Sequence, residues 1–148
     1  MGFVKAYETV RMSGTLEATA SKVVSVESVA SIRELDRFPV ARDGFLAQWI
    51  AAPNRAWRTD TGYAVVRECR QGQKVGPLFA DELDDALELL RPVKGAVQID
   101  VPAGQAEFLG RLESMGFVSG FRTARMYRGP APDVEMSRVF GITSLELG

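Results

Sequence analysis

The chain has 148 residues, 46% hydrophobic and 25% charged, with a formal net charge of −1; this suits one domain with a real core and gives no field to hold nucleic acid or an acidic membrane. It has no histidine and one cysteine, Cys69, which excludes an intrachain disulfide, a Cys/His metal site and every Ser-His-Asp or Cys-His nucleophile, and leaves acid–base work to carboxylates, Tyr, Lys, Cys69 or water. The first 14 residues lack a signal-peptide core, and no apolar run approaches the ~20 residues that span a bilayer, so a cytoplasmic protein with no membrane partner is the expectation.

The chain opens on MGFVKAYETVRM, Met1 to Met12, and a near copy returns as MGFVSGFRTARM, Met115 to Met126. Seven of the twelve positions are identical (Met, Gly, Phe, Val, Thr, Arg, Met), and Tyr7 matches Phe121 in kind. The second copy follows a helical stretch, Gln105 to Met115, with Phe108, Leu109, Leu112 and Met115 at helix spacing. Gly116 sits where a helix end needs positive φ, and Phe117 to Arg128 alternates as a strand. Residues 1–14 are therefore expected to be the closing strand of an earlier unit like this one. Such an overhanging strand seeks a sheet edge, which predicts pairing with this domain or exchange of residues 1–13 between copies in a homodimer.

Residues 15–21 read as a linker, and residues 22–148 as the domain proper. Lys22 to Val29 alternates as a strand. Ser31 with Glu34 forms a capping box for a short helix carrying Ile32, Leu35 and Phe38, which ends before Pro39. Asp43 can cap a second helix, Gly44 to Ala52. Gly62 to Arg70 reads as a strand, Gln71-Gly72-Gln73 as a turn, and Lys74 to Phe79 as the returning strand. Asp81 can cap the next helix, whose stripe is Leu83, Ala86, Leu87 and Leu90 and which Pro92 ends. Ala96 to Val101 is a strand, then come the Gln105 helix, the Phe117 strand, and a last strand within Arg138 to Leu147. The order is β-α-α-β-β-α-β-α-β-β. A helix joining Lys74–Phe79 to Ala96–Val101 implies a parallel crossover, and the hairpins imply antiparallel pairs, so the fold class is α/β with a mixed sheet.

Several pieces resemble the C-terminal domain of tandem GNAT N-acetyltransferases of the YitH group. They are Leu35-Asp36, Ala41-Arg42-Asp43, Gly62-Tyr63-Ala64, Gly76-Pro77-Leu78-Phe79-Ala80-Asp81, Asp100-Val101-Pro102, Met115-Gly116-Phe117, Arg125-Met126-Tyr127-Arg128-Gly129 and Phe140-Gly141-Ile142-Thr143. The resemblance implies a GNAT-like fold, acetyl-CoA as donor and a small-molecule amine as acceptor. It places the donor pyrophosphate at the turn after Phe79, on Leu78, Phe79, Ala80 and Asp81. Typical members are glycine-rich there; this chain has no glycine and crowds Asp81, Glu82, Asp84 and Asp85 around the helix start. Acidic residues stabilise a helix N-terminus but repel a diphosphate, so this half is expected to bind acetyl-CoA poorly or not at all. A catalytic domain and a non-catalytic substrate-binding or dimerisation domain both stay open.

Further site candidates carry alternatives. Tyr127 is a general acid by resemblance, or an amphipathic sheet residue. Glu68 is a base through water, or solvated surface charge. Asp36 and Arg42 frame the acceptor groove the resemblance implies, or pair with each other. Tyr63 and Trp57 line an acceptor pocket, or belong to the core. Arg125 needs a partner if buried, and Asp100 could supply it.

Overall fold

The computed structural model describes residues 2–147. Eight strands form one mixed sheet: β1 (Phe3–Leu16), β2 (Val24–Ser25), β3 (Arg55–Arg58), β4 (Tyr63–Cys69), β5 (Gly72–Phe79), β6 (Gly95–Pro102), β7 (Val118–Arg128) and β8 (Val139–Gly141). Three α-helices accompany them: α1 (Asp43–Trp49), α2 (Leu83–Leu90) and α3 (Ala106–Ser114). The strand order is β2-β3-β4-β5-β6-β1-β7, with β8 pairing to β5. Only β5 and β6 run parallel, as the helix between them requires. No helix among the described residues is long and apolar enough to cross a membrane.

Two apolar layers sandwich the sheet. Val10, Met12, Val97, Ile99 and Val101 pack with Phe108 and Leu112 of α3 and Ala86, Leu89 and Leu90 of α2. On the opposite side, Tyr63, Val65 and Phe79 pack with Ile32, Leu46, Val139 and Ile142. Of the expected stripes, Ala86 and Leu90 of α2 and Phe108 and Leu112 of α3 are buried; Leu89 is buried where Leu87 was expected, and Met115 is 42% exposed. Gly116, at φ +93, ends the α3 segment in the left-handed region open to glycine.

Elements whose partners lie far along the chain differ from expectation. The strand expected over Lys22–Val29 is only Val24–Ser25, held on β3. β3 itself lacks alternating polarity and was not expected. The capped helix after Ser31 is replaced by a single 3-10 turn, Val29–Ser31; the Ser31 hydroxyl donates to the Ser28 carbonyl at 2.8 Å instead of capping. Asp43 is the first residue of α1 rather than its cap, and Glu82, not Asp81, holds the cap position of α2. The last strand shrinks to Val139–Gly141.

The opening strand lies inside the sheet. β1 pairs antiparallel with β6 from Thr9↔Pro102 to Leu16↔Gly95, and with β7 from Phe3↔Arg128 to Ser13↔Val118. It runs through Thr15 and Leu16, two residues expected to be linker. Its apolar Val10 and Met12 are fully buried, so β1 is part of this domain's core.

Candidate active site

β5 and β6 stay paired for only three positions, Gln73↔Val97 to Val75↔Ile99, and then part. Parting strands leave backbone groups that need partners. The chain's own C-terminal segment supplies them. β8 pairs with β5 at Leu78↔Gly141 and Phe79↔Val139, and the Ala80 amide donates to the Arg138 carbonyl at 3.1 Å. On the other wall, the Ile142 amide donates to the Asp100 carbonyl at 3.0 Å. The seat is tight: a Cβ at Gly76 would lie 2.5 Å from the Ile142 oxygen and 2.7 Å from that of Thr143.

Three side-chain groups hold this segment. The Gln105 amide nitrogen, at the start of α3, lies 3.2, 3.0 and 3.0 Å from the carbonyls of Met136, Ser137 and Val139. Asp81 lies 3.5 Å from the Arg138 guanidinium and 3.4 Å from that of Arg37. Arg42 donates to Thr143 Oγ1 at 3.1 Å. The same Arg42 donates to both Asp36 oxygens, at 2.8 and 2.7 Å, and lies over the Phe38 and Phe45 rings. Tyr63 completes the cluster, donating its hydroxyl to Asp36 at 2.6 Å. Burial, then the neighbouring Asp36 charge, pushes the Tyr63 phenol well above its usual pKa. Asp36, Arg42 and Tyr63 are thus brought together and engaged with one another, the paired acid and base side chains being 6% and 7% exposed.

A small, largely apolar cleft opens beside β8. Tyr7, Phe38, Phe79, Met136 and Ile142 line it, with Arg37 and Tyr127 also on its wall. Burial raises the Tyr7 phenol pKa, the Tyr127 neighbour adds to the shift, and Arg125 opposes it. Tyr127 therefore lines this cleft beside Tyr7. Glu68 does not: it lies exposed on β4, 3.9 Å from Arg55. Three strands separate β4 from β7, so the two strands are about 19 Å apart at the usual spacing. Trp57 is buried and donates to the Leu89 carbonyl at 2.7 Å. Asp100 pairs with Arg11, not with Arg125, at 2.8 and 3.0 Å, because β1 lies between β6 and β7.

A family profile described as an acetyltransferase (GNAT) domain matches residues 32–141. The chain belongs to the GNAT acetyltransferase family. Its sequence is 31% identical over 167 residues to the holothin acyltransferase of Pseudoalteromonas sp. (strain SANK 73390), covering 99% of this chain and 56% of that protein. The chain thus spans about half the length of that curated relative. The fold matches a putative acetyltransferase from Pyrococcus horikoshii at a TM-score of 0.81 and 22% identity, over 99% of this chain and 53% of that one.

GNAT domains generally bind acetyl-CoA, and the residues at the expected donor turn do not fit it. Leu78, Phe79 and Ala80 are buried, and their backbone is engaged by β8. Asp81, Glu82, Asp84 and Asp85 add negative charge, with Asp85 accepting from the Thr59 and Thr61 hydroxyls. Sequence reasoning found the acidic turn but missed Gln105, Tyr7 and Arg37. The Gln105 role had no local signal, since its partners lie more than thirty residues away.

Proposed function

We propose that this chain is one unit of a two-unit GNAT acyltransferase acting on the amine of a small molecule, and that this unit does not seat the acyl-CoA donor. In the overall reaction the thioester C–S bond breaks, the amide C–N bond forms, and the amine proton ends on the coenzyme A thiol. Family membership and the acyltransferase relative support the reaction class. The share of each relative that the chain spans supports the second unit. The observation that carries the assignment of roles is the Ala80 amide given to Arg138, with β8 laddered on Leu78 and Phe79. A diphosphate there would have to displace a bonded strand and enter an acidic turn.

What this unit offers instead is the Tyr7–Tyr127 cleft, lined mostly by apolar side chains together with Arg37. Its size suits a small apolar group at one end of an acceptor, with the two phenols as hydrogen-bonding groups. Calorimetric titration of acetyl-CoA into the chain checks the reading. No heat of binding up to about millimolar donor is expected. Micromolar affinity would overturn it and make Leu78–Asp81 a working donor site.

A further inference from the structure

The two copies of the internal repeat lie side by side, and their pairing is symmetric. Thr9 and Thr123 hold the same place in the two copies, and they face each other in the β1–β7 register. On either side, Val10 pairs with Arg122 and Glu8 with Ala124, again equivalent positions exchanged. Tyr7 pairs with Arg125, while Arg11 lies 4.7 Å over the ring of Phe121, the repeat mate of Tyr7. A local two-fold axis therefore passes between Thr9 and Thr123 and exchanges β1 with β7.

The surroundings break that symmetry. β1 has β6 on its outer side; β7 has no strand there among the described residues. Met12 is fully buried, whereas its mate Met126 is 44% exposed. Val10 is buried and Ala124 is exposed. Arg11 is held by both Asp100 oxygens. Its mate Arg125 has a buried Nε with no partner among the described residues, although its terminal nitrogens reach the Glu146 and Leu147 carbonyls at 3.3 Å. Each deficit on β7 corresponds to something β6 and α3 supply to β1.

We infer that the free edge of β7 seats a strand from a second GNAT-like unit, and that this strand carries a carboxylate opposite Arg125, as Asp100 stands opposite Arg11. One continuous sheet then runs through both units about the Thr9/Thr123 axis. The axis also selects the occupant. It maps the run β6–α3–β7 onto a strand and helix leading directly into β1. The partner strand thus belongs to a unit joined to the N-terminal side of β1 in the natural polypeptide. A second copy of this chain fits less well, because its β6 edge is taken by its own β1. This inference extends the two-unit reading proposed above.

Hydrogen exchange on the protein at its natural length, set beside residues 1–148 alone, tests it. At natural length, the β7 amides facing away from β1 should be protected as strongly as those of β1 facing β6. Arg125→Leu should lower that protection by about tenfold or more, and Arg70→Leu, on the exposed β4–β5 turn, should not. Met126→Lys gives a second readout: it should leave the melting temperature of residues 1–148 unchanged and lower that of the natural-length protein. A second unit present while β7 exchanges freely would overturn the shared sheet and leave the two-unit reading standing. A natural-length protein with no second unit would overturn both. Protection arising only from self-association of residues 1–148, indifferent to Arg125→Leu, would overturn the assigned occupant.

Discussion

Replacing Gln105 by Glu changes one group and almost no volume, which isolates what the Gln105 amide does for the C-terminal segment. Its nitrogen approaches three carbonyls at 3.0–3.2 Å, and with two N–H groups it can satisfy two fully at a time. A carboxylate offers none and sets acceptor against acceptor. Losing two hydrogen bonds costs about 1 kcal/mol each, and opposing lone pairs in a half-buried place add about 1–2. The new negative charge near the start of α3 returns about 0.3–1 kcal/mol. The net expectation is a loss of roughly 2–4 kcal/mol, read as a shift in the guanidinium midpoint with an unchanged slope. The loss should be local first. The amides of Ala80 and Ile142, which bridge β8 to the two parted strands, should exchange faster, while those of β1 should not. Acid should relieve the defect. Carbonyl neighbours raise the folded-state pKa of the new carboxyl above its unfolded value, so stability is intact below the unfolded pKa and is lost as pH rises through the folded one. A change below about 0.5 kcal/mol with unaltered exchange at Ile142 would show that Gln105 does not clasp the segment.

Three other perturbations follow from the geometry. Asp100→Asn leaves the Arg11 guanidinium, 15% exposed, without its charge partner; a loss of roughly 2–4 kcal/mol in chemical denaturation is expected, and a neutral result would contradict the pairing. Tyr63 has a folded-state pKa raised well above 10.0, so its contribution is whole below pH 10 and fades as pH climbs beyond it; alkaline titration by tyrosinate absorbance should show one phenol ionising only with unfolding, and Tyr63→Phe should remove that phase. At Gly14 a Cβ would meet the buried Phe117 ring at 2.5–2.8 Å, so Gly14→Ala should destabilise by about 1–3 kcal/mol through overpacking, a prediction that a thermal melt within a degree of the parent would defeat.

The helices and inner strands were legible because their signals are local. Phe108 and Leu112 of α3, and Ala86 and Leu90 of α2, show their buried side in sequence spacing alone. Gly116 announced the end of its helix. What sequence could not show is pairing between distant segments. β3 has no alternating polarity because Ala56 and Trp57 are both buried, and β2 persists as two residues only because β3 is there to pair with it. The capping-box pattern at Ser31 failed because Ile32 and Leu46 meet in the core and set the path of the chain locally. In the candidate site, the Asp36–Arg42 pair was foreseeable from its short spacing, but that Tyr63 joins it and that Tyr127 and Glu68 lie on strands far apart is encoded by no spacing in the chain.

The acidic turn after Phe79 and the inserted β8 are best understood as one arrangement. An aspartate at Asp81 opposes a diphosphate, yet it faces the guanidinium of Arg138, whose backbone carbonyl takes the Ala80 amide. The acidic charge of the turn thus favours the segment seated between the parted strands. Both ionic side chains are about a third exposed, so the pair adds little stability. From there Gly76 lets the Ile142–Thr143 backbone approach, Arg42 takes Thr143, and the Asp36–Tyr63 cluster is tied to the same segment. The acidic turn and the inserted segment thus meet in one place, where the chain's own backbone fills the gap between the parted β5 and β6.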